Sequence, residues 1–185
     1  MGVVETLAQQ KEASMNAPDQ YLVPAQELTD KAFAPYGNII KPRKSGDQGD
    51  RAYKFKPREE SSHVDLVFTN GEPCLRIMHQ FKRGLIFTKV ARHQRVSQCL
   101  GSLQGKEWFI AMAEATERGG ELPRPEQLTA FRIPGDRIIK IHTGVWHAGP
   151  HFVHDECMFM SLENVDTNTS DFDILTMPGE CRILG

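Results

Sequence analysis

The sequence lacks three features that would place it in large classes of protein. No apolar run approaches the ~18 residues that a membrane-spanning helix needs, so we expect no membrane partner. Its 22 Lys and Arg are matched by 24 Asp and Glu, which argues against a nucleic-acid partner, since phosphate binding calls for a basic face. The four cysteines form no C-x-x-C pair, which predicts reduced, mostly buried thiols and a cytoplasmic protein.

The first 20 residues lack the features of a targeting segment. They have no apolar stretch of the secretory type and only one basic residue, Lys11. Their Gln, Ala, Ser and Asn content predicts a disordered tail over residues 1–20, followed by a single domain over residues 21–185. The start, Met1–Thr6, fits the loose N-myristoylation pattern. We expect no stable acyl anchor, because no polybasic patch supplies the second signal.

What the sequence does contain is a pattern of short strands. Short apolar runs separated by Gly, Pro, Asn or Asp are typical of a sandwich or small barrel. These runs cover residues 64–68, 74–78, 85–90, 108–113, 128–133, 138–141 and 157–162. No long segment with a helical period follows residue 37, which argues against a parallel sheet with crossover helices. We therefore predict a mainly all-β fold, a double-sheet jelly-roll barrel.

One short helix is predicted before these strands. The segment 28–37 has Thr29 as a candidate N-cap and Phe33 as an inward anchor, and Pro35 ends it. Residues 41–60 are charged and rich in Gly and Pro, which predicts a solvated loop.

Two of the seven histidines lie in one short motif. The segment H-T-G-V-W-H places His142 and His147 five residues apart across a glycine. On a regular strand this spacing puts the two rings on opposite faces, but a turn at Gly144 could bring them together. Imidazole acts as acid, base or metal ligand near neutral pH, so both are candidate functional residues.

This motif resembles the second signature of the cupins, small β-barrels that hold a metal inside a jelly roll. His142 stands where that signature has a proline, and His147 stands at its ligand histidine. The first cupin signature, H-x-H-x(3–4)-E-x6-G, aligns with Ala91, His93, Gln98 and Gly105. One histidine and the glutamate of the cupin ligand set are therefore replaced, by Ala91 and Gln98.

Within the cupins, the chain is similar to the ureidoglycolate lyase family of allantoin degradation, a part of purine metabolism. The matching segments are A-F-x-x-Y-G at 32–37, the pair Arg92-His93 with Gln98, and H-x-x-V-W-H at 142–147. The resemblance covers roughly residues 22–175. The segments Q-C-L-G-S and W-H-A-G-P resemble the plant branch of the family more than its bacterial members.

The resemblance implies a lyase that releases urea and glyoxylate from ureidoglycolate or a similar small, anionic hydroxy-amide acid. His142 and His147 are the implied catalytic residues, one as the base for the hydroxyl proton and the other as the acid for the leaving nitrogen. Anion recognition calls for a guanidinium or ammonium group. The predicted substrate-binding residues are Arg92, Arg95, Lys106, Trp146 and Glu163.

The resemblance leaves the cofactor and the function class open. One divalent ion, Ni, Mn or Zn, would use the following side chains: His93, Gln98, His142 and His147. The alternative is a metal-free pocket in which the same histidines act as acid and base. The function could also be that of a cupin isomerase or cyclase on another metabolite, or of a non-catalytic metabolite-binding cupin. We expect a homodimer, because cupin barrels often pair through an edge strand.

Several candidates also have a purely structural interpretation. A buried histidine such as His93 can be a satisfied core residue, and a tryptophan such as Trp146 packs in a core as readily as it lines a pocket. Glu163, near a strand end, fits a solvated rim. His151 and His154 are expected on an outer loop.

Overall fold

The computed structural model describes residues 20–42, 64–117 and 119–185. Within these ranges the chain forms strands, two four-residue helices and one 3-10 turn. The strands are β1 Gln20–Glu27, β2 Gly37–Ile40, β3 Pro73–Phe81, β4 Ile86–Arg92, β5 Gln98–Ser102, β6 Gly105–Ala113, β7 Thr129–Gly135, β8 Ile138–Ile141, β9 Trp146–His151, β10 Glu156–Asn164 and β11 Asp173–Leu184. The helices are α1 Asp30–Phe33 and α2 Thr167–Ser170, and the 3-10 turn is Pro125–Gln127.

The strands form a closed barrel and a second sheet. Around the barrel the strand order is β1, β11, β4, β9, β6 and β7, and β7 pairs again with β1. The second sheet has the order β2, β8, β5, β10 and β3. Strand β1 runs parallel to both of its neighbours, whereas the other pairs are antiparallel. The predicted mainly all-β, jelly-roll class is confirmed.

Strand β6 shows how the two sheets share the core. Its side chains alternate between two apolar clusters, as the period of a strand requires. Trp108, Ile110 and Met112 join the cluster that includes residues of the second sheet. Phe109 and Ala111 join the cluster on the other face of β6. A strand buried on both faces reads as a continuous apolar run, which is why β6 was predictable.

The predicted short helix is confirmed as α1. Thr29 is its N-cap, and the Thr29 Oγ1 atom accepts a hydrogen bond from the Ala32 amide at 3.2 Å. Phe33 is fully buried and packs edge-on against Phe131, with ring centroids 5.1 Å apart. Helix α1 is thus held by a local cap and one inward anchor.

The strand prediction differs from the structure in two ways. Residues 64–68 form no strand, and only Phe68 makes an isolated bridge, to Val96. Conversely, the strands β1, β2, β5, β9 and β11 have no counterpart among the predicted runs. Strand β9 contains Gly149 and Pro150, residues that normally mark a turn and so conceal the strand.

Several predictions concern residues outside the described ranges. These are the myristoylation pattern, most of the predicted loop 41–60 and nearly all of the predicted tail 1–20, whose last residue, Gln20, begins β1. Among the residues described, no helix has the length and apolar content needed to cross a bilayer. The four cysteines are free and three of them are buried, which agrees with the predicted thiols.

Candidate active site

A cavity of about 320 Å³ lies between the barrel and the second sheet. Strands β4, β9 and β11 contribute to one wall, and strands β3, β5 and β10 contribute to the other. Its polar lining residues are Gln80, Arg83, Lys89, His93, Gln98, His147, His151, Glu163 and Asn168. This size suits a small metabolite.

The polar groups lie toward two ends of the cavity. Glu163 is near the end of β10 and opposite Cys74 on β3, whereas Gln80 pairs with Cys157 at the other end of β10. Glu163 and Gln80 therefore lie at opposite ends of the pair formed by β10 and β3.

His93 and His147 form a pair of buried imidazoles. Their ring centroids are 5.4 Å apart, and the residues are only 4% and 8% exposed. Pairing between β4 and β9 sets Ala91 opposite His147, and His93 comes two residues later in the chain. The ring of Phe172 stacks on His93 with centroids 5.7 Å apart. This contact holds His93 against the cavity wall.

Backbone carbonyls set the tautomer of both rings. The Nδ1 atom of His93 donates to the Asp171 carbonyl at 2.6 Å, and that of His147 donates to the Val145 carbonyl at 3.2 Å. Because a carbonyl only accepts, each Nδ1 atom carries a proton; Nε2 then holds a lone pair in the neutral form of the ring and a second proton in the charged form. Within the described ranges neither Nε2 atom has a hydrogen-bond partner, so both can serve a ligand in the cavity.

The environment of His147 keeps its ring neutral. Its pKa is lowered to about 4, chiefly by burial and also by the nearby charge of His93, against the opposing effect of the Val145 carbonyl. A ring that is neutral at pH 7 has the lone pair that a general base needs.

The turn at Gly144 does not bring His142 to His147. The His142 amide instead donates to the Tyr36 carbonyl at 2.9 Å, and the His142 ring is not part of the cavity wall. Burial and the charge of Lys140 lower its pKa, against the effect of the Ala34 carbonyl. The residue that the structure sets beside His147 is His93.

Glu163 lines the cavity and is 1% exposed, so the solvated-rim interpretation is wrong. Gln98 donates from its Nε2 atom to the Glu163 carboxylate, and an Arg76 guanidinium nitrogen lies 3.4 Å from the other carboxylate oxygen. These partners compensate the cost of burying the charge. The substrate-binding role of Glu163 stays a prediction.

Two predicted substrate-binding residues form a separate buried network. The Arg92 Nε atom donates to Asp173 at 2.9 Å, and the Arg92 guanidinium lies 4.4 Å from the ring centroid of Trp146. Trp146 donates from Nε1 to the Thr116 hydroxyl at 3.2 Å. Neither Arg92 nor Trp146 belongs to the cavity wall, and the contacts of both are those of packing residues.

The other two predicted cations are also engaged elsewhere. Arg95 bonds Asp166 at 2.9 Å, and Lys106 donates to the Glu156 carbonyl at 2.8 Å. Neither is part of the cavity wall.

Five polar residues of the cavity wall were not predicted from the sequence: Gln80, Arg83, Lys89, His151 and Asn168. Arg83 and Lys89 are cations in or beside β4, and no motif marked them. The outer-loop interpretation of His151 is wrong, because this residue lies in β9, is 2% exposed and lines the cavity. Pro150 directly before it breaks the sequence pattern of a strand. No local signal marks His151, because β9 has a bulge between Ala148 and His151 and the spacing from His147 therefore does not predict its face.

The donor set of the cavity does not fit a metal centre. Among the described residues, no three His, Cys, Asp or Glu side chains are placed to surround one ion. The site offers two imidazole Nε2 atoms, while the carboxylate of Glu163 is engaged by Arg76 and Gln98. Metal sites usually use three or four protein ligands. We therefore derive no step through a metal, and Ni, Mn or Zn at this site stays a prediction.

The closed barrel, the second sheet and the histidine pair in the cavity between them define a mainly all-β barrel protein with an internal site. The chain belongs to the ureidoglycolate lyase family, because the family model described as Ureidoglycolate lyase matches residues 20–183.

Two similar proteins, both named ureidoglycolate lyase, are bacterial. The one from Stutzerimonas stutzeri is 27% identical over 128 residues, which cover 66% of this chain and 71% of the relative. The one from Azotobacter vinelandii is 25% identical over 144 residues, which cover 75% and 82%. Among solved structures, RmlC from Streptococcus suis in complex with dTDP-D-xylose matches with a TM-score of 0.35 and 17% identity, over 50% of this chain and 44% of that one.

Proposed function

We propose that this protein is a lyase that converts ureidoglycolate to urea and glyoxylate. The observation that carries the proposal is the pair of buried imidazoles, His93 and His147, with Nε2 atoms available to a small molecule in the cavity. Family membership supports the same substrate, since both bacterial relatives carry the name ureidoglycolate lyase.

The reaction needs two proton transfers at neighbouring positions of the substrate. Ureidoglycolate carries a hydroxyl and a ureido nitrogen on one carbon. Removal of the hydroxyl proton lets the oxygen electrons form the aldehyde of glyoxylate while the carbon–nitrogen bond breaks. The departing nitrogen takes up a proton and leaves as urea. Two positioned imidazoles can supply the base and the acid for these transfers.

We assign His147 as the base and His93, carrying a second proton on Nε2, as the acid. His147 keeps its predicted catalytic role, whereas His93 replaces His142 in the pair because the His142 ring is not part of the cavity wall. A bound carboxylate adds negative charge to the cavity, which favours the protonated imidazole and raises the pKa of His147 from its low value toward neutrality. Substrate binding thus strengthens the base.

The substrate carboxylate needs a cation, and Lys89 is our candidate. It lines the cavity on β4, the strand that pairs with β9 beside His147. The cations predicted from the sequence, Arg92, Arg95 and Lys106, are bonded to other groups.

The test is glyoxylate release from each enantiomer of ureidoglycolate, measured against a heat-killed blank because the substrate also decays unaided. We expect stereospecific release, and a loss of at least ~100-fold in kcat for His147→Asn and for His93→Asn. His79→Gln is the matched control, since His79 is an exposed residue on the outer face of β3. His142→Gln should keep its rate if His93 is the acid, and should lose it if His142 is the acid.

A rate equal to the blank with both enantiomers would overturn the lyase proposal. Binding of ureidoglycolate without turnover would then favour a metabolite-binding cupin, and turnover of another substrate would favour an isomerase or cyclase. An arm with chelator, followed by addition of Ni, Mn or Zn, tests the metal. The donor set leads us to expect an unchanged rate in chelator.

Further predictions accompany this proposal and rest on the sequence. The segments Q-C-L-G-S and W-H-A-G-P support membership of a plant-like branch of the family. The proposed reaction belongs to the breakdown of allantoin, a part of purine metabolism. A cytoplasmic homodimer is the expected state, which sedimentation equilibrium of the full chain can test.

A further inference from the structure

Residues 171–173 contact the segment that carries His93. Antiparallel pairing of β4 with β11 sets Asp173 opposite Arg92, which is the last residue of β4. His93 and Phe172 lie one residue beyond this pair, and their rings stack with centroids 5.7 Å apart and an interplanar angle of 15°. The pairing of the two strands is therefore extended by side-chain contacts past the end of the backbone ladder.

Asp171 binds the same segment through both its backbone and its side chain. Its carbonyl accepts a hydrogen bond from the Nδ1 atom of His93 at 2.6 Å. Its two carboxylate oxygens accept from the backbone amides of Gln94 and Arg95, each at 2.8 Å. These two residues follow the end of β4 and belong to no strand, so the carboxylate supplies the acceptors that a ladder would otherwise provide.

The carboxylate of Asp171 is held firmly in this position. The residue is only 7% exposed, and a buried carboxylate costs free energy unless hydrogen bonds compensate it. Bonds from amides to a charged acceptor are stronger than bonds between neutral groups. Arg95 adds a guanidinium nitrogen 3.9 Å from one of the oxygens. Contacts with the two residues that follow His93 thus fix Asp171 and, with it, the carbonyl that His93 uses.

The two imidazoles of the pair depend on different parts of the structure for their orientation. His147 donates from Nδ1 to the carbonyl of Val145, only two residues away in the chain, so the turn before β9 orients this ring. The acceptor for His93 belongs to Asp171, 78 residues away. The ring of His93 can keep its orientation only if that distant residue is itself held in place.

We propose that Asp171 is a positioning residue for His93. Its carboxylate fixes the turn at residues 94–95, and its carbonyl fixes the tautomer and the direction of the ring. The inference rests on the proposed function, in which Nε2 of His93 gives a proton to the departing nitrogen. A carbonyl accepts from Nδ1 in the neutral and in the charged ring alike, so the ring need not turn when Nε2 loses or regains its proton.

The experiment compares Asp171→Asn with Asp173→Asn in the full chain. The first exchange replaces one of two acceptor oxygens with an NH₂ group, so one backbone amide loses its partner. The second makes the same exchange two residues away, at a carboxylate that accepts from Nε of Arg92. An amide oxygen can still accept that bond, which makes Asp173→Asn the matched control.

The first measurement is the tautomer of His93, read from the ¹⁵N chemical shifts of the histidine side chains. Spectra are recorded at about pH 8.5, well above the usual histidine pKa of ~6.5. The signals of His93 are identified by their loss in His93→Asn. We expect the proton on Nδ1 in the wild type and in Asp173→Asn, and a mixture of the two tautomers in Asp171→Asn.

The second measurement is the kinetics of glyoxylate release. A positioned acid or base contributes roughly 10²–10⁴-fold to a rate, so a misplaced His93 should lower kcat by at least ~10-fold in Asp171→Asn. The KM should stay within about threefold, since the proposed contact of the substrate carboxylate with Lys89 is unchanged. Asp173→Asn should keep both constants.

Two outcomes would overturn the inference: a pure Nδ1 tautomer of His93 in Asp171→Asn, or a mixture of tautomers with an unchanged kcat. A thermal melt checks that each variant folds. If Asp171→Asn does not fold, Asp171→Ser replaces it with the same expected results, because a hydroxyl still accepts from one of the two amides.

Failure of the proposed function has a different signature. Without enzymatic glyoxylate release in the wild type the lyase proposal falls, and the tautomer measurement alone then decides whether Asp171 positions His93. Release in the wild type together with an unchanged tautomer and kcat in Asp171→Asn would leave the lyase proposal standing and remove this role of Asp171.

Discussion

At the scale of single residues, the candidate site depends on imidazoles that the protein keeps neutral by burial. His147 and His151 are both almost completely buried, and each donates its Nδ1 proton to a backbone carbonyl. Removal from water disfavours the charged ring, which lowers the pKa of each to about 4. These rings are thus available as acceptors at neutral pH, and the protein loses stability when they must be protonated.

This cost predicts how stability depends on pH. The folded-state pKa values of about 4 lie below the value of ~6.5 for an unfolded histidine, so between these limits the unfolded chain binds more protons. The free energy of unfolding should therefore fall as the pH is lowered from 6.5 to 4, by about 3 kcal/mol for each ring. Urea denaturation across pH 4–7 measures this slope. His147→Asn should flatten it and His79→Asn should not; an unchanged slope in His147→Asn would contradict the prediction.

At the scale of elements, the turn before β9 connects the two histidines of the pair. Gly144 has φ of +79°, a conformation that L side chains rarely adopt. Its amide donates to the His93 carbonyl at 2.6 Å, and β9 with His147 begins two residues later. The glycine therefore lets one backbone hydrogen bond set the start of β9 against His93.

Gly144→Ala tests this role of the turn. The added methyl would meet Ala115 and Gln94 only at ordinary contact distances of 3.4 Å, so backbone strain of about 1–2 kcal/mol is the main cost. Gly105→Ala is the matched control, because Gly105 has φ of +66° and open space around it. We expect similar losses in urea denaturation, but a loss of kcat only for Gly144→Ala. Equal kcat values for the two variants would show that the turn does not position His147.

At the scale of the whole molecule, the cavity is built from both sheets. Its walls come from barrel strands β4, β9 and β11 and from strands β3, β5 and β10 of the second sheet. Many of the groups that face each other are far apart in the chain, such as Gln98 and Glu163. A ligand in the cavity therefore binds a surface that exists only when the barrel and the second sheet are folded together.

Ligand binding should consequently stabilise the entire fold. N-carbamoylglycine keeps the carboxylate and the ureido group of ureidoglycolate but has no hydroxyl, so it serves as an unreactive probe. At a concentration 100 times its Kd it should raise the free energy of unfolding by about 2.7 kcal/mol, because it binds only the folded chain. The measurement is the midpoint of urea denaturation with and without the probe. Lys89→Met should remove most of the gain if Lys89 holds the carboxylate. An equal gain in this variant would place the carboxylate elsewhere.

Local features of the sequence allowed much of the fold to be predicted. The cap at Thr29, the anchor at Phe33 and the apolar runs of β6 and β8 act over a few neighbouring residues, and the structure has each of these elements. Strands that contain Gly or Pro, such as β9, were not predicted, because pairing with other strands overrides the local preferences of these residues.

The sequence by itself determined the strand-rich class, the helix α1 and the motif that contains His147. Tertiary structure alone decided that His93, rather than His142, lies beside that histidine, and that His151 and Glu163 line the same cavity. The physical reason is that a side chain's face is set by strand register and by turns, which depend on partners far away in the chain. Contacts such as the one between His93 and Asp171, 78 residues apart, leave no signal in the local sequence.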